Sequence, residues 1–380
     1  MYNNLAAAER KKNLRIPTRA VSAQKKYYDL VVFCHLRWDF VYQRPQHIIS
    51  RLSEDYKVLF VEEPWKSSDP GHSLKIISPN LHIFRPNIST MDELTEALSE
   101  VLRSSEIPMA WFYSPSFCSV LKYLQFETVI YDCMDELSLF KGAPASLIQQ
   151  ERTLLENSDI VFTGGRSLFE AKQPHHPNVY CFPSSVDFNH FAKATNGISL
   201  PADISEIPSP IVGYFGVVDE RLDLELIEET ATKLPEVSFV FIGPVVKISE
   251  SDLPKLPNIY YLGMKDYQTL PNYLKAFKIA IMPFALNDAT KYISPTKTLE
   301  YMAAEKPIIS TRVKDVEREY SNCVHLVSDS NEFVEKVKMI LYPKELELSY
   351  LKSYDDILNK TSWNSTVNRM KEAIGELISK

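Results

Sequence analysis

From Tyr28 onward, short apolar runs alternate with amphipathic stretches along almost the whole chain. YDLVVFC (residues 28–34) is continuously apolar after its first two positions, the pattern of a strand buried on both faces. YKVLFVE (56–62), LKIIS (74–78), MAWFY (109–113), TVIYD (128–132) and IVFTG (160–164) repeat it. Between them, apolar residues recur at helical spacing in RPQHIISRLSED (44–55), with Pro45 in its first turn, in MDELTEALSEVLR (91–103) and in ASLIQQERTLLENS (145–158). The pattern lapses in AKATNGISLPADISEIPSP (192–210), rich in Pro, Ser and Ala, and then restarts. Strands are expected at IVGYFG (211–216), VSFVFIG (237–243), NIYYLG (258–263), IAIMPF (279–284) and PIIS (307–310). Helices are expected at LDLELIEETATKL (222–234), TLPNYLKAF (269–277), TLEYMAA (298–304) and TSWNSTVNRMKEAIGELIS (361–379).

Alternation of this kind predicts an α/β chain with two mostly parallel, helix-covered sheets, and a cleft between them at the C-terminal ends of the strands. The expected division is a basic, disordered tail (1–26), an N-terminal domain (27–195), a linker (196–209), a C-terminal domain (210–358) and a closing helix (359–380) that crosses back. At 45% hydrophobic and 24% charged residues, the composition is that of a soluble globular protein able to bury two cores. Five cysteines stand singly, with no CxxC pair, which points to reduced thiols in a cytoplasm rather than disulfides or a zinc site. No run approaches the roughly 20 apolar residues that span a bilayer.

Charge changes the picture at one end. Residues 1–26 hold seven basic residues against Glu9, a net +6, so the rest of the chain carries −13 of the total −7. An acidic body argues against nucleic acid as a partner. The basic tail could lie on anionic lipid at the inner face of a membrane, or simply be solvated.

Three strand-to-helix turns in the second half carry candidate chemistry. In GYFGVVDERLDLEL, Gly216 permits close backbone approach and Arg221 offers a forked donor for phosphate. In YYLGMKDYQTLP, the loop after Gly263, with Met264 and Lys265, could face a base. In YISPTKTLEYMAAEKPII, Ser294, Pro295 and Thr296 make a turn into a helix that begins near Lys297. A cation at a helix N-terminus opposes the helix dipole, so Lys297 there suggests a bound anion. Glu300 lies one turn along the same face, where a carboxylate could accept from ribose hydroxyls.

These segments, with VYCFPSSVDFNHF, LPNYLKAFKIAIMPF and Trp363, resemble the retaining glycosyltransferases of family 4, which have the GT-B fold of two Rossmann-like domains facing each other across a cleft. RWDFVYQRPQHIISRL and VIYDCMDELSLF resemble a bacterial subgroup of cell-surface polysaccharide synthesis that includes teichuronic-acid-type transferases. The resemblance implies that Arg221 and Lys297 clamp the diphosphate of a UDP-sugar, that Glu300 binds ribose, that the backbone of Met264 beside Lys265 meets the base, and that Ser294 to Thr296 give amides to the phosphates. It implies transfer of a hexose, glucose or similar, with retention and with neither metal nor cofactor, to a polysaccharide or lipid-linked acceptor. The family's first glutamate, eight residues before Glu300, is replaced by Tyr292; Asp288 is the nearest upstream carboxylate, and Val217 stands where an arginine is usual.

In the first half, HLRWDFVYQRPQH places Arg37, Trp38, Tyr42 and Arg44 at a strand end. The aromatic rings could stack on a sugar, and the arginines could pair with an acidic acceptor. His47 reads as a packed helix residue. Asp132 ends TVIYD and Asp135 follows it, where they could bind the donor sugar, act as base to an acceptor hydroxyl, or cap a helix. The alternatives to a glycosyltransferase are a nucleotide-sugar epimerase or phosphorylase of the same architecture, and a degenerate, non-catalytic UDP-binding scaffold.

Overall fold

The computed structural model describes residues 28–66, 71–102, 104–343 and 349–379. The basic tail, and with it the expected membrane contact, lies outside these residues. No helix among them is long and apolar enough to cross a membrane.

The first sheet contains β1 (Leu30–Cys34), β2 (Val58–Glu62), β3 (Ser73–Ser78), β4 (Leu81–Arg85), β5 (Glu106–Phe112), β6 (Gln125–Cys133), β7 (Ile160–Thr163) and β8 (Val179–Cys181), in the order β3-β4-β2-β1-β5-β6-β7-β8. All neighbours are parallel except the edge pair β3–β4. Side chains alternate between faces along a strand, and β1 serves two cores: Val31 and Phe33 enter one, Leu30, Val32 and Cys34 the other. This explains the unbroken apolar run at 30–34. The helices include α1 (Arg44–Leu52), α2 (Ser146–Asn157) and α3 (Arg166–Lys172). Gln43 and Gln46 close α1 with reciprocal bonds and Pro45 stands in its first turn, so the start read from sequence has a physical cause.

The second sheet is wholly parallel: β9 (Ile211–Phe215), β10 (Ser238–Ile242), β11 (Ile259–Tyr261), β12 (Phe277–Met282), β13 (Ile308–Thr311) and β14 (His325–Val327), in the order β11-β10-β9-β12-β13-β14. It is covered by helices that include α4 (Leu224–Lys233), α5 (Lys297–Ala303), α6 (Lys314–Tyr320) and α7 (Ser330–Leu341). Because β10 and β12 flank β9 and lead the chain outward in opposite directions, a crevice opens beyond Phe215, where ligands of such sheets bind. The architecture is α/β with two Rossmann-like domains, as expected.

The crossing between domains comes earlier than the sequence suggested. Phe182 still packs in the first domain, whereas Val186, Phe191, Ala194 and Ile204 are buried in the core of the second. Residues 196–209 are likewise tied down: the Ile198 carbonyl accepts from Lys275 (2.5 Å), and Asp203 pairs with Lys265 (2.8 Å) and accepts from the Tyr273 hydroxyl (3.1 Å). Low periodicity here marks a wrapped segment rather than a free connection. At the far end Tyr354 and Leu358 belong to the second core, while Trp363, Val367, Met370 and Ile374 of α8 (Trp363–Ile378) bury against the first. Ser362 caps α8 through the amide of Ser365 (3.1 Å).

Candidate functional site

Gly216 ends β9 with φ +142, a conformation that side chains rarely adopt. A Cβ there would lie 2.1 Å from the Cε and 2.6 Å from the Nζ of Lys297. Gly243, at the end of β10 with φ +147, is equally confined: its Cβ would stand 1.9 Å from the Gly216 carbonyl oxygen. Gly216 thus leaves room for the lysine, and Gly243 leaves room for the Gly216 backbone beside it. Lys297 opens α5, with its ammonium 5.6 Å from the centroid of the Tyr214 ring, and makes no hydrogen bond or ion pair among the described residues. Burial pulls its pKa below the usual lysine value, against the pull of Glu300.

Glu300 is 7% exposed, and its carboxylate likewise has no hydrogen-bond or ion-pair partner among the described residues. Burial pushes its pKa up to about 7, with Lys297 opposing. A half-buried cation and a buried carboxylate one helical turn apart, neither bonded, could answer a ligand that offers an anionic group to one and hydrogen-bond donors to the other. The turn that carries them is held from within, the amides of Thr298 and Leu299 donating to the carbonyls of Pro295 and Thr296.

Beside it, a cleft of about 250 Å³ runs between the domains. Gly216, Gly243, Met264, Lys265 and Tyr267 line one wall, and Trp38 to Tyr42 the other. Gly263, at φ +68, turns the chain into this wall and accepts from the Gly243 amide (2.9 Å). Lys265 is spoken for by Asp203, so Met264 and the backbone are the free parts of that loop. Tyr42 and Tyr267 meet across the gap at 4.6 Å, and Tyr267 stacks on His190 at 4.3 Å.

Arg221 does not stand alone. Asp219, 5% exposed, accepts from its Nε (3.0 Å) and Nη2 (2.7 Å). The guanidinium faces Phe140 of the first domain at 5.6 Å, and Lys247 faces the same ring at 4.6 Å. Asp135 shares this corner: burial raises its pKa to about 6, with Arg221 the chief opposing charge. Asp135 thus lies within electrostatic reach of Arg221, while part of Arg221's charge is already answered by Asp219.

Three expectations for the first domain, for Asp132, Arg44 and Arg37, need correction. Asp132 is 0% and Arg44 2% exposed; they pair at 2.8 Å, and Arg44 also donates to the Phe182 carbonyl (2.7 Å). They neutralise each other inside the domain, so Arg44 cannot meet an acceptor and Asp132 does not face the cleft. Arg37 is spent on Glu62 (3.2 Å) and the Glu63 carbonyl (2.6 Å). Trp38 leans edge-on against Phe60 (5.1 Å), its amide bound to Glu62 (2.8 Å), with one side left to the cleft. Strand-end position was visible in sequence, but the partner that consumes each charge was not.

Two residues beside Lys247 were missed. The buried His35 Nδ1, just past β1, has no hydrogen-bond partner, and burial with Lys247 nearby lowers the ring's pKa to about 4. Both carboxylate oxygens of Glu220 are buried without hydrogen bonds, one of them 3.6 Å from Lys247 Nζ. The DER run at 219–221 was the available signal for Asp219 and Glu220; His35 had none beyond its place after a strand. Tyr292 packs against the core of the first domain instead of lining the donor side. His47 is packed, as read, with its ring stacked on Trp363 at 4.7 Å. Among the described residues, no group of three His, Cys, Asp or Glu side chains is placed to hold a metal ion.

Residues 209–342, which contain Gly216, Lys297 and Glu300, match the family model described as Glycosyl transferases group 1. Over 249 residues the chain is 24% identical to TuaH of Bacillus subtilis (strain 168), a protein whose name assigns it provisionally as a teichuronic acid biosynthesis glycosyltransferase; the alignment spans 59% of each chain. The fold is similar to that of a sucrose-phosphate synthase from Thermosynechococcus elongatus (TM-score 0.71, 16% identity, 92% of this chain and 99% of that one). It is also similar to Anabaena HepE, solved in complex with UDP and glucose (TM-score 0.65, 13% identity, 92% and 99%). These neighbours share the GT-B architecture, and the fold of this chain is GT-B.

Proposed function

We propose that this chain is a glycosyltransferase that takes a hexose, glucose or a close relative, from a UDP-sugar and transfers it to a saccharide on a polysaccharide or lipid carrier. The observation that carries the reading is Lys297: a desolvated cation at a helix N-terminus, without an anion, beneath a glycine that leaves it room. A diphosphate fits this arrangement. The match over residues 209–342 and the UDP and glucose held by the Anabaena neighbour support the same reading.

In this reading Lys297 takes the phosphates and Glu300 accepts from the ribose hydroxyls, so binding restores the partners that burial withheld. The base lies along Gly263 and Met264. As the sugar departs, negative charge develops on the diphosphate, and Lys297 with Arg221 stabilises it from fixed positions with no metal required. Asp135 faces Arg221 where the sugar would sit, and transfer with retention follows if the acceptor enters on the side the diphosphate leaves. Trp38 supplies an apolar face on the acceptor side.

Calorimetry with UDP, GDP and ADP, followed by UDP release from a panel of UDP-sugars with oligosaccharide acceptors, tests this directly. UDP binding with turnover of one sugar supports it, and the anomeric configuration of the product decides retention. UDP binding without turnover on any donor would favour a binding module, a reading to which Tyr292, docked away from the donor side, lends support. Absence of nucleotide binding would overturn both.

A further inference from the structure

The turn at Ser294 has a second neighbour besides the cleft. A Cβ on Gly165 would stand 2.7 Å from Ser294 Cβ and 2.6 Å from Asp315 Oδ2, and one on Gly164 would stand 3.0 Å from the carbonyl oxygen and 3.1 Å from the Cα of Met134. Neither glycine has a left-handed backbone, so space rather than φ demands them. The pair makes the chain after β7 thin enough to lie between the second domain's candidate phosphate turn and Met134, the residue before Asp135.

Helix α3 begins at the next residue and is gripped at both ends. At its start, the Ser167 amide donates to both oxygens of Asp315 (3.1 and 3.2 Å) and its hydroxyl to one of them (2.5 Å). Ser167 is 1% and Asp315 2% exposed, so α6 of one domain caps a helix of the other out of water. Outside this contact Glu170 pairs with Arg318 (3.0 Å) and Lys314 (3.4 Å). At the end of α3, Lys172, 5% exposed, bonds Glu136 (2.6 Å) and Glu151 (2.7 Å), and Glu151 also accepts from the Tyr131 hydroxyl (2.7 Å). Glu136 directly follows Asp135.

We propose that Lys172 is a positioning residue: through Glu136 it sets the Asp135 loop near Arg221, and α3, held at Ser167 by Asp315, ties that setting to the Ser294 turn through Gly165. The proposal rests on the reading that this turn receives the diphosphate. One buried cation between two carboxylates is a stiff, directional tether, whereas a surface pair at the same place would be slack. Packed contacts of this kind carry coupling only if the far end responds when the near end is occupied.

Hydrogen exchange of the 134–142 backbone, in the full chain with and without UDP, gives that response. In the ligand-free protein Lys172→Met should speed exchange of this segment by about tenfold or more, the scale of a charge-assisted hydrogen bond, while β9 to β13 stay protected. UDP should slow the segment in wild type and not in Lys172→Met, although calorimetry finds the same UDP affinity. Lys172→Arg, which keeps the cation, should restore the response, and Asp315→Asn should weaken it from the other end. Should orphaned carboxylates unfold Lys172→Met, Glu136→Gln severs the same tether while Lys172 keeps Glu151. Unchanged exchange of 134–142 in the ligand-free variants would overturn the positioning role. Failure of wild type to bind UDP, read separately by calorimetry, would instead remove the functional reading and the coupling with it.

Discussion

Lys297→Met should strengthen the ligand-free protein and weaken the complex, two signs that an ordinary surface or core lysine would not give together. The lysine's pKa is lowered in the folded state, so the charged form is held less comfortably there than in the unfolded chain. Its removal takes away a cost at neutral pH and orphans no anion, because no carboxylate is bonded to it. The denaturant midpoint should therefore hold or rise. In the complex the same ammonium would make charge-assisted bonds to phosphate, at about 1.5–3 kcal/mol, or roughly 10- to 150-fold in affinity.

Calorimetry of UDP and of uridine against both proteins isolates the interaction, since uridine lacks the phosphates and should lose little. The difference between the two losses is the coupling of Lys297 to the diphosphate. Equal losses for the two ligands would refute the placement of the phosphates at Lys297. A lowered midpoint with unaltered UDP affinity would make the residue structural.

Three further outcomes follow from the same geometry. Gly216→Ala should displace the Lys297 side chain and add backbone strain of about 1–3 kcal/mol; adding Lys297→Met to it should then cost little more UDP affinity, which calorimetry on the double variant checks. Glu300, raised from 4.5 to about 7, binds its proton more tightly when folded, so its contribution favours folding at low pH and is lost as pH rises from about 4.5 to 7. At about 1.4 kcal/mol per pKa unit this is about 3 kcal/mol, and urea titrations of wild type and Glu300→Gln across that window should diverge accordingly. Arg44→Met should leave Asp132 buried and unpaired at a cost of about 3–5 kcal/mol in urea, largely recovered by adding Asp132→Asn, with UDP affinity of the folded protein unchanged.

The sequence carried the fold because both sheets announce themselves in the same way. A strand buried on two faces is apolar on both, as β1 and β9 are throughout and β5, β6 and β12 are over most of their buried length, Asp132 in β6 excepted because Arg44 pairs with it. The strands that escaped notice, β4, β8 and β14, are short or lie near an edge. The C-terminal half of the candidate site was legible for a related reason: Gly216 and Lys297 are each unfavourable in isolation, a strained backbone and a cation against a dipole, and such costs are visible in one dimension. Charge pairing is not. Arg44 and Asp132 are 88 residues apart, Ser167 and Asp315 148, and nothing local distinguishes an arginine free to meet a substrate from one already answered. The residues that survive as candidates, Lys297, Glu300, Asp135, His35 and Glu220, are those whose ionisable groups the described residues leave without a hydrogen bond, Glu220 keeping only its ion pair with Lys247. An unmet demand inside a protein costs stability unless something else meets it, and Lys297 and Glu300 stand one helical turn apart behind Gly216, which lines the cleft. That adjacency, more than any one motif, argues for a ligand at the Gly216 end of the cleft.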